Sequence, residues 1–294
     1  MSVTLTGLLD ILDLQATGPD GFIGQCHPTA WGRLFGGQVI AQALVACART
    51  VESTRAPHSV HAYFILAGDT SVPIEFEVER IRDGKSFATR RCVAKQKGRA
   101  IFALSASFQV EECGFDHAFP MPDVPKPDQL PSLKDILTQY AAVLPKSVSA
   151  YFSQDRAIEL RPVSYDRYFG KNPATAGQSL WVRADGKLPD DPAIHRAVLA
   201  YLSDMTLLDT ALIAHNSSIF QPGLQMASLD HALWFHRPFK ADEWLLYTQD
   251  SPNAFGARGL TRGLIYALDG TLVASVAQEG LIRQTSAPAK SAAQ

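Results

Sequence analysis

The sequence lacks a surplus of charge of either sign and lacks long hydrophobic runs. Its 294 residues carry a formal net charge of -2, and the charges are mixed along the chain without a polybasic arm. Because nucleic-acid binding usually needs a clear basic surplus, we expect no nucleic-acid partner. No apolar run reaches the roughly 18 residues of a membrane-spanning helix, so we expect no membrane partner either.

Cysteine is scarce and scattered. The chain has 4 cysteines, none of them in a CxxC pair, so the sequence predicts neither a zinc site nor a disulfide framework. We expect no other metal and no cofactor. The N-terminal stretch "MSVTLTGLLDILDL" carries acids and has no basic region, which is not typical of a secretory signal. These features predict a cytoplasmic protein with reduced thiols.

Two stretches of the chain, one from Ser59 and one from Ser228, show the same order of features. Each opens with His-Ala, at His61 and His231, and continues with a strand of alternating hydrophobicity. Each then has an F-x-x-R motif, ending at Arg90 or at Arg258, followed by a glycine turn and a long apolar strand. This similarity predicts an internal repeat of antiparallel strands.

A helical segment precedes each set of strands. In "GGQVIAQALVACART", from Gly36, apolar residues recur every three or four positions. In the second half we predict a helix "SDMTLLDTALIAH", from Ser203, after a helix "DPAIHRAVLAYL" with an Asp cap and a proline in its first turn. We divide the chain into an N-terminal repeat, a proline-rich linker with a helix, a C-terminal repeat and a disordered tail, at residues 1–115, 116–150, 151–285 and 286–294.

The motifs "RLFGGQVIAQAL", "SVHAYFILAGD", "DGKSFATRR", "LDHALWFHRPF" and "VASVAQEGLIR" resemble the acyl-CoA thioesterase II family, in the family's order and over nearly the whole chain. The resemblance implies an α+β fold, the double hotdog: two tandem repeats, each with a long helix wrapped by a curved antiparallel sheet. It also implies hydrolysis of fatty acyl-CoA, of medium to long chain, to free fatty acid and CoA. Members of the family commonly form homo-oligomers, so we expect a homodimer or homotetramer.

The resemblance also implies three catalytic residues: Asp204 in "LSDMT", Ser228 in "MASLDHA" and Gln278 in "VAQEGL". Thioester hydrolysis needs a positioned water, a base for its proton and donors for the developing oxyanion. At the first turn of the predicted helix, Asp204 would be stabilised as a carboxylate and serve as the base. Ser228 and Gln278 can hold the water. Gly36 and Gly37 allow close backbone approach and could supply the oxyanion donors.

Ser228 is not expected to be a nucleophile, because the chain has no G-x-S-x-G elbow and Ser228 lies within a predicted strand. The comparison of the two halves aligns Asp204 with Gly37, Ser228 with His58 and, counting from the glycine turns, Gln278 with Ala106, so we expect the first half to lack all three catalytic side chains. We therefore predict one catalytic centre per chain. Taken singly, Asp204 could be a helix cap, Ser228 a strand hydroxyl and Gln278 a buried amide; only their joint match to the family indicates a site.

Other residues with a candidate role have ordinary explanations. Aromatic side chains that could line an acyl tunnel could equally be core: Phe35, Phe64, Trp234 and Phe235. The arginines of the strands are typical of solvated residues, although one near the cleft could bind a CoA phosphate: Arg90, Arg91, Arg258 and Arg262. Two alternative functions remain open from the sequence, a hotdog dehydratase or hydratase and a non-catalytic acyl-CoA sensor.

Overall fold

The computed structural model describes residues 3–27, 32–140, 156–165, 176–219 and 221–285. Its helices are α1 (Leu5–Leu12), α2 (Gly36–Ala48), α3 (Leu133–Gln139), α4 (Pro192–Ser203) and α5 (Thr210–Ile213). The first six strands are β1 (Gln15–Ala16), β2 (Gly21–Gly24), β3 (Arg55–Phe64), β4 (Ile74–Asp83), β5 (Phe87–Gln96) and β6 (Arg99–Val110). The other seven are β7 (Ile158–Pro162), β8 (Gly177–Ala184), β9 (Leu224–Ser228), β10 (Asp230–Phe235), β11 (Leu245–Phe255), β12 (Arg258–Ala267) and β13 (Leu272–Gln284).

These strands form one antiparallel sheet. Its order is β1-β2-β4-β5-β6-β3-β10-β13-β12-β11-β8-β7, with β9 paired beside β13. In the described part of the chain, the first-half strands β1 to β6 and the second-half strands β7 to β13 meet only at the pair β3–β10, where His61 lies opposite Ala232. The sheet therefore joins the two halves edge to edge through the equivalent strands β3 and β10.

The helices α2 and α4 contact each other and are buried in one hydrophobic core with the inward face of the sheet. Helix α4 begins as predicted: the Asp191 side chain accepts a hydrogen bond from the Ala193 N–H at 2.9 Å, and Pro192 occupies the first helical position. Each half thus has a helix packed on antiparallel strands. Among the described residues, no helix is long and apolar enough to cross a membrane.

The predicted second helix from Ser203 is wrong. Helix α4 ends at Ser203, residues 204–209 are turns and bends, and only the four residues of α5 are helical beyond them. Side chains take the backbone groups that a continuing helix would use: the Tyr247 hydroxyl donates to the Ser203 carbonyl at 2.8 Å, and the Gln178 amide donates to the Thr206 carbonyl at 3.3 Å. Asp204 consequently lies at the C-terminal end of a helix, and not in the first turn of one.

The His-Ala motif aligned the two halves one residue out of register. His231 is buried and His61 is exposed, although a shared motif position should face the same side. In β3, Val60 lies opposite Ala106; the register of β10 on β13, Ala232 opposite Ala277, continues to His231 opposite Gln278. The glycine-anchored match of Ala106 with Gln278 agrees with this pairing. Val60, which lies opposite Ala106, is therefore the counterpart of His231, which lies opposite Gln278.

The F-x-x-R motif also aligned residues of the two halves that are not equivalent in the sheet. Arg90 pairs with Ala106, whereas Gln278 pairs with Thr261, so the counterpart of Arg90 is Thr261 and not Arg258. Arg90 is only 1% exposed, which contradicts its interpretation as a solvated residue. Its guanidinium is satisfied in the core of the first half by the Thr50 hydroxyl and carbonyl, by Asp83 and by two further carbonyls. Three other strand arginines have half-exposed side chains, as predicted: Arg91, Arg258 and Arg262.

The proline-rich segment packs against the second half. Around a 3-10 turn at Pro127–Gln129, its carbonyls accept hydrogen bonds from Trp181 and Arg161, at 2.8 Å and 2.6 Å. Its apolar side chains cover a small cluster on the outer face of the sheet, formed by Trp181, Leu246, Tyr266 and Leu272. The predicted tail at residues 286–294 and the end of the predicted linker helix lie outside the described residues.

Candidate active site

The C-terminal end of α4 meets the N-terminal end of α2, and Asp204 lies at this junction. A Cβ atom on Gly37 would be 2.3 Å from the Tyr201 carbonyl oxygen, and one on Gly36 would be 2.7 Å from Asp204 Oδ2. No side chain fits at either position, because real Cβ atoms do not approach other atoms so closely. The two glycines therefore allow the contact between the helices, and they bring the start of α2 against the carboxyl group.

Burial dominates the electrostatics of Asp204. Removal from water raises the pKa of this carboxyl to about 7, against the lowering effect of hydrogen bonding from the Gln278 side chain and the Gly37 backbone N–H. The C-terminal end of α4 cannot stabilise the negative charge, so the sequence pattern assigned the stabilising helix dipole to the wrong helix. The N-terminal end of α2 supplies that effect through the Gly37 N–H. Asp204 Oδ1 has no hydrogen-bond partner among the described residues.

Gln278 and Ser228 come together beside Asp204. Gln278 lies in β13, faces the helices and is 1% exposed. Its amide nitrogen donates to Ser228 Oγ at 2.7 Å. Ser228 is half-buried at the last position of β9, before Leu229 interrupts the strand, and so is not in the middle of a strand as predicted. The structure thus brings together all five residues that the sequence singles out: Gly36, Gly37, Asp204, Ser228 and Gln278.

Two polar residues that the sequence does not single out lie behind Gln278. His231 Nδ1 is 2.7 Å from Gln278 Oε1, and His231 Nε2 is 2.9 Å from Ser203 Oγ. Both residues are buried, and burial lowers the pKa of His231 to about 4. The alternation of His231 with Leu233 and Phe235 along β10 is the signal that would have placed this imidazole on the inward face.

The aromatic residues divide between the two faces of the sheet. Phe64 lies against Gly36, and the Phe35 ring packs edge-on against Tyr201 at 5.0 Å, so both lie next to Asp204. Trp234 lines a cavity of about 1060 Å³ together with Leu264, Ser275 and Ala277. Ser275 and Ala277 alternate along β13 with the inward-facing Gln278, so this cavity opens on the opposite face. Trp234 is therefore not part of a tunnel at Asp204.

In the part of the chain that the structure describes, no cluster of three His, Cys, Asp or Glu side chains could hold a metal ion. The arrangement is an acid with a pKa near neutrality beside an amide, a hydroxyl and a helix N-terminus. Such a set can position a water molecule, take its proton and stabilise an oxyanion.

Comparison with known proteins identifies the family. The profile of the acyl-CoA thioesterase family matches residues 147–281, and that of the acyl-CoA thioesterase N-terminal domain matches residues 27–109. Acyl-CoA thioesterase 2 of Haemophilus influenzae is 38% identical over 96% of this chain and 99% of its own. Human acyl-coenzyme A thioesterase 8 is 39% identical over 93% of this chain and 88% of its own.

Solved structures give the same result. An acyl-CoA thioesterase II from Mycobacterium marinum is 42% identical and superposes with a TM-score of 0.79, over 95% of this chain and 99% of its own. A protein from Alicyclobacillus acidocaldarius described as having a hot dog fold is 20% identical with a TM-score of 0.77, over 96% and 98% of the two chains, and this likeness concerns the fold alone. The chain has the double hotdog fold and belongs to the acyl-CoA thioesterase family, a family of thioester hydrolases.

Proposed function

We propose that this chain hydrolyses fatty acyl-CoA to free fatty acid and CoA by attack of a water molecule that Asp204 deprotonates. The observation that supports this most is the state of Asp204: a buried carboxyl whose pKa is raised to about 7, with one oxygen that has no partner among the described residues. A general base works best when its pKa lies near the working pH. Asp204 Oδ1 is the oxygen that takes the proton in this proposal.

In the proposed mechanism Ser228 holds the water, and Gln278 holds Ser228 and Asp204 in place. The Gln278 amide donates to Ser228 Oγ, so the Ser228 hydroxyl hydrogen is available for the water oxygen. The same bond argues against Ser228 as the nucleophile, because an amide N–H cannot take the hydroxyl proton. The water then donates one hydrogen to Asp204 and attacks the thioester carbonyl carbon with its lone pair.

The start of α2 stabilises the oxyanion. The first N–H groups of a helix have no partner within it, and the helix dipole favours negative charge there. The Gly37 N–H interacts with Asp204, so we assign it to holding the base and assign the oxyanion contact to the Gly36 N–H. When the tetrahedral intermediate collapses, the C–S bond breaks and the CoA thiolate takes the proton from Asp204, which restores the carboxylate.

Medium- to long-chain substrates and a broad range are part of the proposal. Phe35 and Phe64 lie at the junction of the helices beside Gly36 and Gly37 and offer apolar surface to an acyl chain. A dehydratase or hydratase would need a base that reaches a substrate carbon. The buried His231 contacts Gln278 and Ser203, so it lies behind the amide and supports hydrolysis over this alternative.

The test is release of the CoA thiol from saturated acyl-CoA substrates of increasing chain length. We expect turnover by the wild type, and a loss of about 10²- to 10⁴-fold in kcat for Asp204→Asn, the range for removing a general base. Asp242→Asn is the matched control, since Asp242 is a buried carboxyl that pairs with Lys187. Asp242 lies near His195, which is at the opposite end of α4 from Asp204. Thiol release that Asp204→Asn leaves unchanged would refute the mechanism, and binding without any turnover by the wild type would indicate a sensor.

A homodimer or homotetramer and a cytoplasmic location also remain predictions. The outer strands β1 and β7 leave unpaired sheet edges among the described residues, which are surfaces that self-association commonly covers. Light scattering tests the first prediction: a mass of two or four chains is expected, and a mass of one chain contradicts it.

A further inference from the structure

We infer that His231 is a positioning residue: held by Ser203, it fixes the orientation of the Gln278 amide so that the NH₂ group faces Ser228 and Asp204. This inference rests on the proposed roles of Asp204 and Gln278 in hydrolysis. His231 and Ser203 do not touch the substrate in it, and they act only through the amide.

The number of hydrogens on the His231 imidazole limits the hydrogen bonds that it can make. A neutral imidazole has one N–H, and the raised cost of charging a buried ring keeps His231 neutral at pH 7. Gln278 Oε1 can only accept, so the contact of 2.7 Å between it and His231 needs the hydrogen on Nδ1. Nε2 is then the acceptor, and Ser203 Oγ, 2.9 Å away, supplies the hydrogen. The amide nitrogen is left to donate to Ser228.

The opposite tautomer of His231, with Gln278 reversed, gives the same atoms hydrogen-bond partners. Ser203 Oγ is also 2.9 Å from the Ala200 carbonyl and could donate its hydrogen there. His231 would then carry its hydrogen on Nε2, and the bare Nδ1 would accept from a reversed Gln278 amide. In that state the amide carbonyl would face Asp204, where it repels a carboxylate and gives no donor. The tautomer of His231 and the orientation of Gln278 are therefore one coupled choice.

The first half of the chain shows that the sheet does not need this pair. At the corresponding positions of β3 and β6, Val60 and Ala106 lie opposite each other and are both buried. An apolar pair thus satisfies the packing of a central strand against its neighbour. The buried imidazole, which carries a desolvation penalty, occurs only in the half that holds Asp204 and Gln278.

Three substitutions of His231 test the inference by thiol release from a saturated medium-chain acyl-CoA. The amide nitrogen of Asn takes the place of imidazole Nδ1 and that of Gln takes the place of Nε2. We expect His231→Asn to keep kcat within about threefold of the wild type. We expect His231→Gln and His231→Leu to lower kcat by about 10- to 100-fold, as loss of a supporting hydrogen bond does, with KM changed by less than about threefold.

A purely structural role predicts a different pattern. It would lower the melting temperature of the variants and leave kcat per folded molecule unchanged, or lower it equally in all three. Either result overturns the inference. If Asp204→Asn and Gln278→Ala each lower kcat by about 10²-fold or more while the three His231 variants behave alike, the inference fails and the proposed mechanism stands. If Asp204→Asn retains turnover, the mechanism itself fails.

The wild-type protein offers a test that needs no variant to fold. With ¹⁵N-labelled histidine, the two ring nitrogens of neutral His231 have separate NMR shifts, and the pattern reports which of them carries the hydrogen. We expect the Nδ1–H tautomer at pH 7. An Nε2–H tautomer or a charged ring in the wild type contradicts the inference.

Discussion

The two halves of the sheet bring equivalent strands to equivalent places and hold different side chains there. In the first half, Val60 and Ala106 form an apolar pair on the inward face. In the second half the corresponding residues are His231 and Gln278, which form a hydrogen bond of 2.7 Å. The backbone arrangement is the same, so the polar pair is not a requirement of the fold.

The first half also contains a buried polar side chain, and this comparison separates two uses of burial. Arg90 is enclosed and has a partner for each part of its guanidinium within the first half, including Asp83 and Thr50. Asp204 is enclosed, but one carboxylate oxygen has no partner among the described residues. A fully satisfied buried group stabilises a structure, whereas a buried acid that combines an unpartnered oxygen with a raised pKa is typical of a site that acts on a ligand.

The halves complement each other at the junction of α2 and α4. The first half contributes the start of a helix, with Gly36 and Gly37, and the second half contributes the acid, the amide and the hydroxyl. A single centre per chain follows from this division in the proposed mechanism, because the base lies in the second half and the start of α2, which meets it, lies in the first.

The comparison of the two halves is tested most directly by giving the second half the residues that the first half has at the corresponding positions. We expect Gln278→Ala to lower kcat by about 10²- to 10³-fold, since it removes the amide that holds both Ser228 and Asp204. The double variant His231→Val, Gln278→Ala reproduces the pair Val60 and Ala106. Because His231 acts only through Gln278, its kcat should lie within about twofold of the single variant in the thiol-release assay. A further drop of tenfold or more would show that His231 acts independently.

The fold was accessible from the sequence because its signals are local and repeated. The period of "GGQVIAQALVACART" predicted α2, and Asp191 with Pro192 predicted the start of α4. The end of α4 was not accessible, because it depends on Tyr247 and Gln178, which are distant along the chain and take the backbone groups of residues 203 and 206. A helix pattern contains no information about which distant side chains will compete for its carbonyls.

The candidate site shows the same limit. The family motifs indicated Asp204, Ser228 and Gln278, and the structure brings them together. His231 was missed because the shared His-Ala dipeptide aligned it with the exposed His61. A one-residue error in a strand reverses the face of every side chain, so a dipeptide match is a weaker guide there than the burial alternation. The raised pKa of Asp204 was also inaccessible, because it comes from burial between two helices.

The stability of Asp204→Asn relative to the wild type tests the raised pKa of this buried acid. The pKa of Asp204 is raised from 3.8 to about 7 on folding, so its contribution to stability is complete below about pH 4 and is lost as the pH rises through 7. The variant has no such loss. Its free energy of unfolding relative to the wild type should therefore increase by about 4 kcal/mol between pH 4 and pH 8, measured by denaturant titration.

Asp242→Asn is the control of opposite sign for this measurement. Its partner Lys187 and the Leu188 N–H outweigh burial and lower the pKa of Asp242, so the carboxylate stabilises the protein above its unfolded pKa and the benefit is lost as the pH falls. This variant should be less stable than the wild type at pH 7, and the gap should narrow at low pH. A pH-independent difference for Asp204→Asn would contradict the raised pKa.

The smallest expected effect concerns Glu279, the residue next to Gln278. Its side chain lies on the other face of β13 and pairs with the half-exposed Arg258 at 3.0 Å, so it contacts a solvated residue and not the site. Exposed ion pairs contribute about 0 to 1 kcal/mol to stability. We expect Glu279→Gln to leave kcat within about twofold in the thiol-release assay and to change the free energy of unfolding by less than about 1 kcal/mol. A loss of kcat comparable to that of Gln278→Ala would mean that the charge of Glu279 reaches the site, and the assignment of catalysis to the inward face of β13 alone would then be wrong.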